Sequence, residues 1–108
     1  MTQLSISEKD EGDRRTLSLS GPVNSYTYTE LQDKLSAALD LASTVVVDLE
    51  KVTNLSSAGV GVLMASLDDA EAAGKRLVLQ KPSEIARLSI EATGFGDRFT
   101  IVMSAREL

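Results

Sequence analysis

Two adjacent hydroxyls, Ser56 and Ser57, stand where an apolar run gives way to small residues, and they are the side chains best placed for chemistry. The stretch runs Val45-Val46-Val47-Asp48-Leu49-Glu50-Lys51-Val52-Thr53-Asn54-Leu55-Ser56-Ser57-Ala58-Gly59-Val60-Gly61-Val62-Leu63. It reads as a buried strand, a short polar turn, and then a helix whose first turn carries both serines. The first N–H groups of a helix lack partners and sit at the positive end of its macrodipole, so an anion is stabilised there. Ala58, Gly59 and Gly61 keep those groups reachable from outside. A serine in this place can carry a phosphate whose charge is already partly compensated. From local sequence alone, the pair also reads as a plain N-cap, since serine is a favoured cap.

Other chemistries find little support. The chain has no Cys and no His, which removes thiolate nucleophiles, imidazole bases, disulfides and the usual zinc sites together. Gly59-x-Gly61 is followed by no Lys and matches neither a P-loop nor a dinucleotide fingerprint. Hydrolase chemistry would want a base beside Ser57. Spacing supplies none, so no enzyme activity, cofactor or metal is expected. A net charge of -5 argues against direct nucleic-acid binding. The apolar runs are too short to span a bilayer. Met1-Thr2-Gln3-Leu4-Ser5 has neither a basic leader nor an apolar core, so a cytoplasmic protein is expected.

Several further residues carry two readings each. Asp68, Asp69 and Glu71 read first as a solvated helix face and second as a docking patch or metal cluster. Asp48 ends a strand where open α/β sheets place ligand groups, and its expected role is polar support for the loop that follows. Tyr26 and Tyr28 read either as interface residues or as half-buried covers of the sheet edge. Met64 reads as core, and no role attaches to Arg14, Arg15, Arg87 or Arg98.

The elements that must position Ser57 follow from periodicity. Leu4 and Ile6 alternate with polar residues, with Glu8 next in phase, and Lys9 to Arg14 forms a charged turn. Thr16 to Ser20 alternates again and stops at Gly21-Pro22, giving an antiparallel hairpin. Thr27 and Glu30 fit a capping box ahead of a stripe of Leu31, Leu35, Ala38, Leu39 and Ala42. Thr44 to Leu49 suits a strand covered on both faces. A helix from about Ser57 to Ala73 buries Val60, Leu63, Met64, Leu67 and Ala70 and ends at Gly74. Arg76 to Gln80 is a strand. Pro82 and Ser83 open a third helix carrying Ile85, Leu88 and Ala92, closed by Gly94. Phe99 to Met103 is the last strand. The order β-β-α-β-α-β-α-β implies a largely parallel sheet covered by helices.

This pattern resembles the STAS domain of bacterial anti-sigma factor antagonists. The likeness rests on Leu19-Ser20-Gly21, on Val45 to Leu49, on Ala92-Thr93-Gly94-Phe95, and most specifically on Leu55 to Leu63. It implies an α/β STAS fold: a mixed sheet of about five strands with an antiparallel N-terminal hairpin and helices packed on it, residues 1–108 forming a single STAS domain. Aligning Gly59 with the family glycine puts Ser57 on the phosphorylated serine and Ser56 on the position usually held by aspartate, a departure. Moving the frame to make Ser56 the acceptor would put Ala58 on the glycine, a worse match.

The resemblance further implies a function. The unphosphorylated domain would bind an anti-sigma factor that is also a serine kinase, through Asn54, Ser56, Ser57, Ala58, Gly59 and Val60, and free the sigma factor. Phosphorylation of Ser57 would end binding, and a metal-dependent serine phosphatase would reset it. The alternative is a STAS subunit or scaffold of a lipid-transport or signalling assembly with no phosphoryl cycle.

Overall fold

The computed structural model describes residues 3–108; Met1 and Thr2, where the leader reading begins, lie outside them. Its organising element is the Val-rich strand β3 (Thr44–Leu55). Successive strand side chains point to opposite faces. Val45, Val47 and Leu49 therefore face one layer, while Val46 faces the other, and all four are fully buried.

The five-stranded sheet has the order β1-β2-β3-β4-β5. β1 (Ser5–Glu11) pairs antiparallel with β2 (Arg14–Val23). β3, β4 (Arg76–Gln80) and β5 (Thr100–Val102) then continue in parallel. The helices are α1 (Tyr28–Leu41), α2 (Ser57–Ala72) and α3 (Glu84–Glu91). Their buried residues share one core with Val45, Val47, Leu49, Leu77 and Leu79. Among the described residues, the opposite face holds a small cluster of Val46, Val78 and Val102, with Leu108 packed on it. The helices thus cover one face of the sheet rather than both. Val46 is buried by neighbouring valines and the chain's last turn.

Four expectations need correction. The hairpin turn is only Gly12-Asp13, with Gly12 at φ 60°, because both strands run closer to it than alternation suggested. β2 does not stop at Gly21-Pro22 but continues to Val23. Beyond Ser20 its partner β1 has ended, so the missing N–H of Pro22 falls on an unpaired edge where proline is tolerated. Gly21 has φ 103°, and a Cβ there would lie 2.5 Å from the Gln3 carbonyl oxygen. The supposed polar turn at Glu50 to Asn54 is strand. It pairs with the β2 extension through two register shifts, at Ser18/Ser20 and Gly21/Pro22. Such bulges put polar residues out of phase, which is why the segment reads as a turn. Thr27 is the N-cap of α1 by position but accepts no capping bond; its hydroxyl donates to the Pro22 carbonyl (2.9 Å) and accepts from the Asn24 N–H (2.9 Å).

α2 keeps its expected limits. Its end is a Schellman arrangement around Gly74 (φ 70°), with Lys75 N–H on Ala70 O (2.8 Å) and Gly74 N–H on Glu71 O (3.2 Å). The Lys75 ammonium then donates to the Leu39 carbonyl near the end of α1.

The two glycines of α2 differ. A Cβ on Gly59 would meet Val23 Cγ1 at 2.6 Å and Leu55 Cδ1 at 2.7 Å, whereas one on Gly61 would meet nothing within 4 Å. Gly59→Ala is therefore expected to destabilise by about 1–3 kcal/mol through overpacking. Gly61→Ala should stabilise by about 0.5–1 kcal/mol through helix propensity. Urea denaturation of the two variants, shifted in opposite directions from the parent, checks both.

Candidate functional site

The serines lie at the rim where β2 and β3 both end. The Ser56 N–H donates to the Val23 carbonyl at 2.8 Å, tying the two strand ends together. Ser56 then adopts extended dihedrals (φ -78°, ψ 172°) as the N-cap of α2, and its hydroxyl accepts from the Gly59 N–H at 3.4 Å. The Val60 N–H bonds the Ser56 carbonyl at 2.9 Å. The N–H groups of Ser57 and Ala58 keep no partner among the described residues, as the first turn of a helix dictates. No acidic side chain stands in that turn.

Ser57, the first residue of the helix, is exposed. It borders a cleft of about 320 Å³ lined also by Leu55, Val60, Ser89, Ala92 and Thr93. None of those side chains titrates, so the cleft offers Ser57 no base. The candidate contact residues divide by burial: Asn54 and Ser57 are exposed, Ser56 and Ala58 half-buried, Gly59 and Val60 buried. Val60 still reaches the cleft wall, whereas Gly59 faces inward to Val23 and Leu55.

Asp48 supports the segment that follows it, which is strand rather than loop. Its carboxylate accepts from Gln80 Nε2 (2.8 Å) and from the Glu50 N–H (3.0 Å), satisfying a backbone donor at the first register shift of β3. Tyr28 is half-buried against the core, while Tyr26 is 90% exposed on the loop leaving β2. Arg98, to which the sequence assigned nothing, donates to Asp68 (2.6 Å) and Glu71 (2.9 Å) of α2. The hydrogen bond to Asp68, before its charge and that of Glu71, raises the Arg98 pKa above its ordinary value. Two of the three acids are thus occupied, and no metal-binding cluster occurs among the described residues.

Sequence reading missed the second wall of the cleft. Ser89, Ala92 and Thr93, at the end of α3, face Ser57. The stripe Ile85, Leu88 and Ala92, which marks the helix in the sequence, is exposed; α3 buries Ala86 and Ile90 instead. Two apolar sets share this helix, and spacing alone does not say which one meets the sheet.

A mixed α/β sheet with an antiparallel hairpin, one helical layer and a serine at the start of α2 defines the class of small α/β sheet domains to which the comparisons point. The chain belongs to the STAS domain family: the family model described as "Mlab, STAS domain" matches residues 6–103. It is 28% identical over 80 residues to the anti-sigma F factor antagonist of Lysinibacillus sphaericus, covering 72% of this chain and 68% of that one. An anti-sigma factor antagonist from Mycobacterium paratuberculosis superposes with a TM-score of 0.87 at 21% identity, covering 97% of this chain and 90% of the other. The Bacillus cell fate determinant SpoIIAA in its phosphorylated form gives 0.71 at 21% identity, covering 99% and 95%. No helix among the described residues is long and apolar enough to cross a membrane.

The long Ser56 cap bond sets a stability expectation. Ser56→Ala should cost about 0.5–1 kcal/mol, the low end of capping losses. Ser57→Ala, at an exposed site, should change stability by less than about 0.5 kcal/mol. Thermal unfolding of both variants separates the two roles.

Proposed function

We propose that this protein is a cytoplasmic anti-sigma factor antagonist, not an enzyme, whose partner is an anti-sigma factor with serine kinase activity and whose switch is Ser57. The observation that carries the reading is the position of Ser57. It is exposed, first in its helix, and on the wall of an uncharged cleft. Fold likeness to antagonists, and to one of them in a phosphorylated form, supports the same reading.

The mechanism follows from where the charge would fall. A phosphoserine carries about -1.5 to -2 charge at neutral pH. Within the domain, the free N–H groups of Ser57 and Ala58 and the helix dipole favour that charge by about 0.3–1 kcal/mol. The fold therefore tolerates the modification. A docked partner does not, because it would bury a hydrated dianion in a contact shaped for a hydroxyl, at a cost of several kcal/mol. Release needs no change of shape in the domain. Ser56 in the place usually held by aspartate leaves the first turn free of a repelling carboxylate, which favours the phosphorylated product. A serine phosphatase resets the switch by removing the phosphate.

Incubation with the kinase-type anti-sigma factor and ATP should place phosphate on Ser57 by mass spectrometry; phosphate on Ser56 alone, or none, contradicts the assignment. Ser57→Ala should keep partner binding, while Ser57→Asp should weaken it by about tenfold or more, read by calorimetry. Equal affinities of the two variants would place the residue outside the interface. Tight binding indifferent to phosphorylation would favour a constitutive subunit of a larger assembly instead.

A further inference from the structure

α3 turns Ala86 and Ile90 to the core and leaves Ile85 and Leu88 at 43% and 55% exposed. Residues three and four apart are neighbours on a helix surface, so Ile85, Leu88 and Ala92 form one stripe. Ala92 also lines the cleft that holds Ser57. The stripe and the hydroxyl are thus two parts of one continuous surface. Phe95, four residues past the last residue of the helix, is also 55% exposed. Contiguous apolar surface beside a polar site marks interaction rather than stability. The far border of the stripe carries the exposed acids Glu84 and Glu91, with the exposed Arg87 between them, in a chain of net charge -5.

We propose that α3 is the grip of the docking surface for which Ser57 is the switch. The occupant is the anti-sigma factor, seating an aliphatic ridge on Ile85, Leu88 and Ala92 and facing Glu84 and Glu91 with Lys or Arg. The inference rests on the reading of Ser57 as the regulated contact. It divides the labour between two helices. α3 supplies affinity and the choice of partner, while the start of α2 supplies only the chemistry that ends binding. Charge across the rim would speed encounter and make it salt-dependent.

The test uses the full unphosphorylated chain and the kinase-type anti-sigma factor in calorimetry. Leu88→Ser and Ile85→Ser should each weaken binding about tenfold, as removal of an apolar anchor does. Their melting temperatures should match the parent. Glu84→Gln with Glu91→Gln should flatten the salt dependence of affinity. Hydrogen exchange of the parent complex, which needs no variant, should show protection over residues 84–92. Affinities within about twofold of the parent, with no protection on α3, would overturn the grip while leaving the Ser57 switch standing if phosphorylation still releases the partner. Failure of the parent chain to bind the anti-sigma factor would overturn both.

Discussion

The contact of Gly59 with Val23 and Leu55 is the constraint on which the rest of the arrangement depends. A side chain at Gly59 would collide with both residues, so its absence lets the first turn of α2 rest directly on the ends of β2 and β3. The Ser56 N–H locks the same junction onto the Val23 carbonyl. With the turn pinned from beneath, Ser57 has one place to go, outward at the rim. The exposure of the hydroxyl is therefore a consequence of packing below it and does not rest on loop flexibility.

Reaching that junction requires two strands longer than their apolar cores. β3 carries its buried run through Leu49 and then six more residues with two register shifts, and β2 extends through Gly21 and Pro22 to stay paired with it. Asp48 holds the first of those shifts by accepting the Glu50 N–H. The extension delivers Leu55 and Val23 beneath α2. The helices gather on one face of the sheet, so the candidate site lies at the edge of the helical layer, between the start of α2 and the end of α3.

The order of elements was legible in the sequence because each carries a clear period and a clear stop, as Gly74 and Gly94 show after α2 and α3. The place of Ser57 at the start of α2 was legible for the same reason: a run of small residues after a valine strand is a local signal. What was not legible depends on tertiary neighbours. Glu50 to Asn54 reads as a turn because bulges break strand alternation, and Pro22 reads as a stop because nothing in the sequence says that β1 has already ended. Thr27 matches a capping box, yet the Pro22 carbonyl and Asn24 N–H engage its hydroxyl instead. On α3, Ile85, Leu88 and Ala92 mark a helix by their spacing, which does not say that they stay exposed. The smaller Ala86, with Ile90, meets the core instead, and the exposed stripe flanks the candidate site. Local rules fail most informatively where a surface is kept for another molecule.

Modification of one exposed hydroxyl, on this account, alters a contact and leaves the scaffold as it was. The direct measurement is the affinity of the anti-sigma factor for the unmodified chain and for the chain phosphorylated at Ser57, taken beside the melting temperature of each form. The account predicts an affinity loss of at least about a hundredfold and a melting shift of no more than about 3–5 °C. Unchanged affinity after phosphorylation, or a melting temperature that collapses with it, would contradict the account.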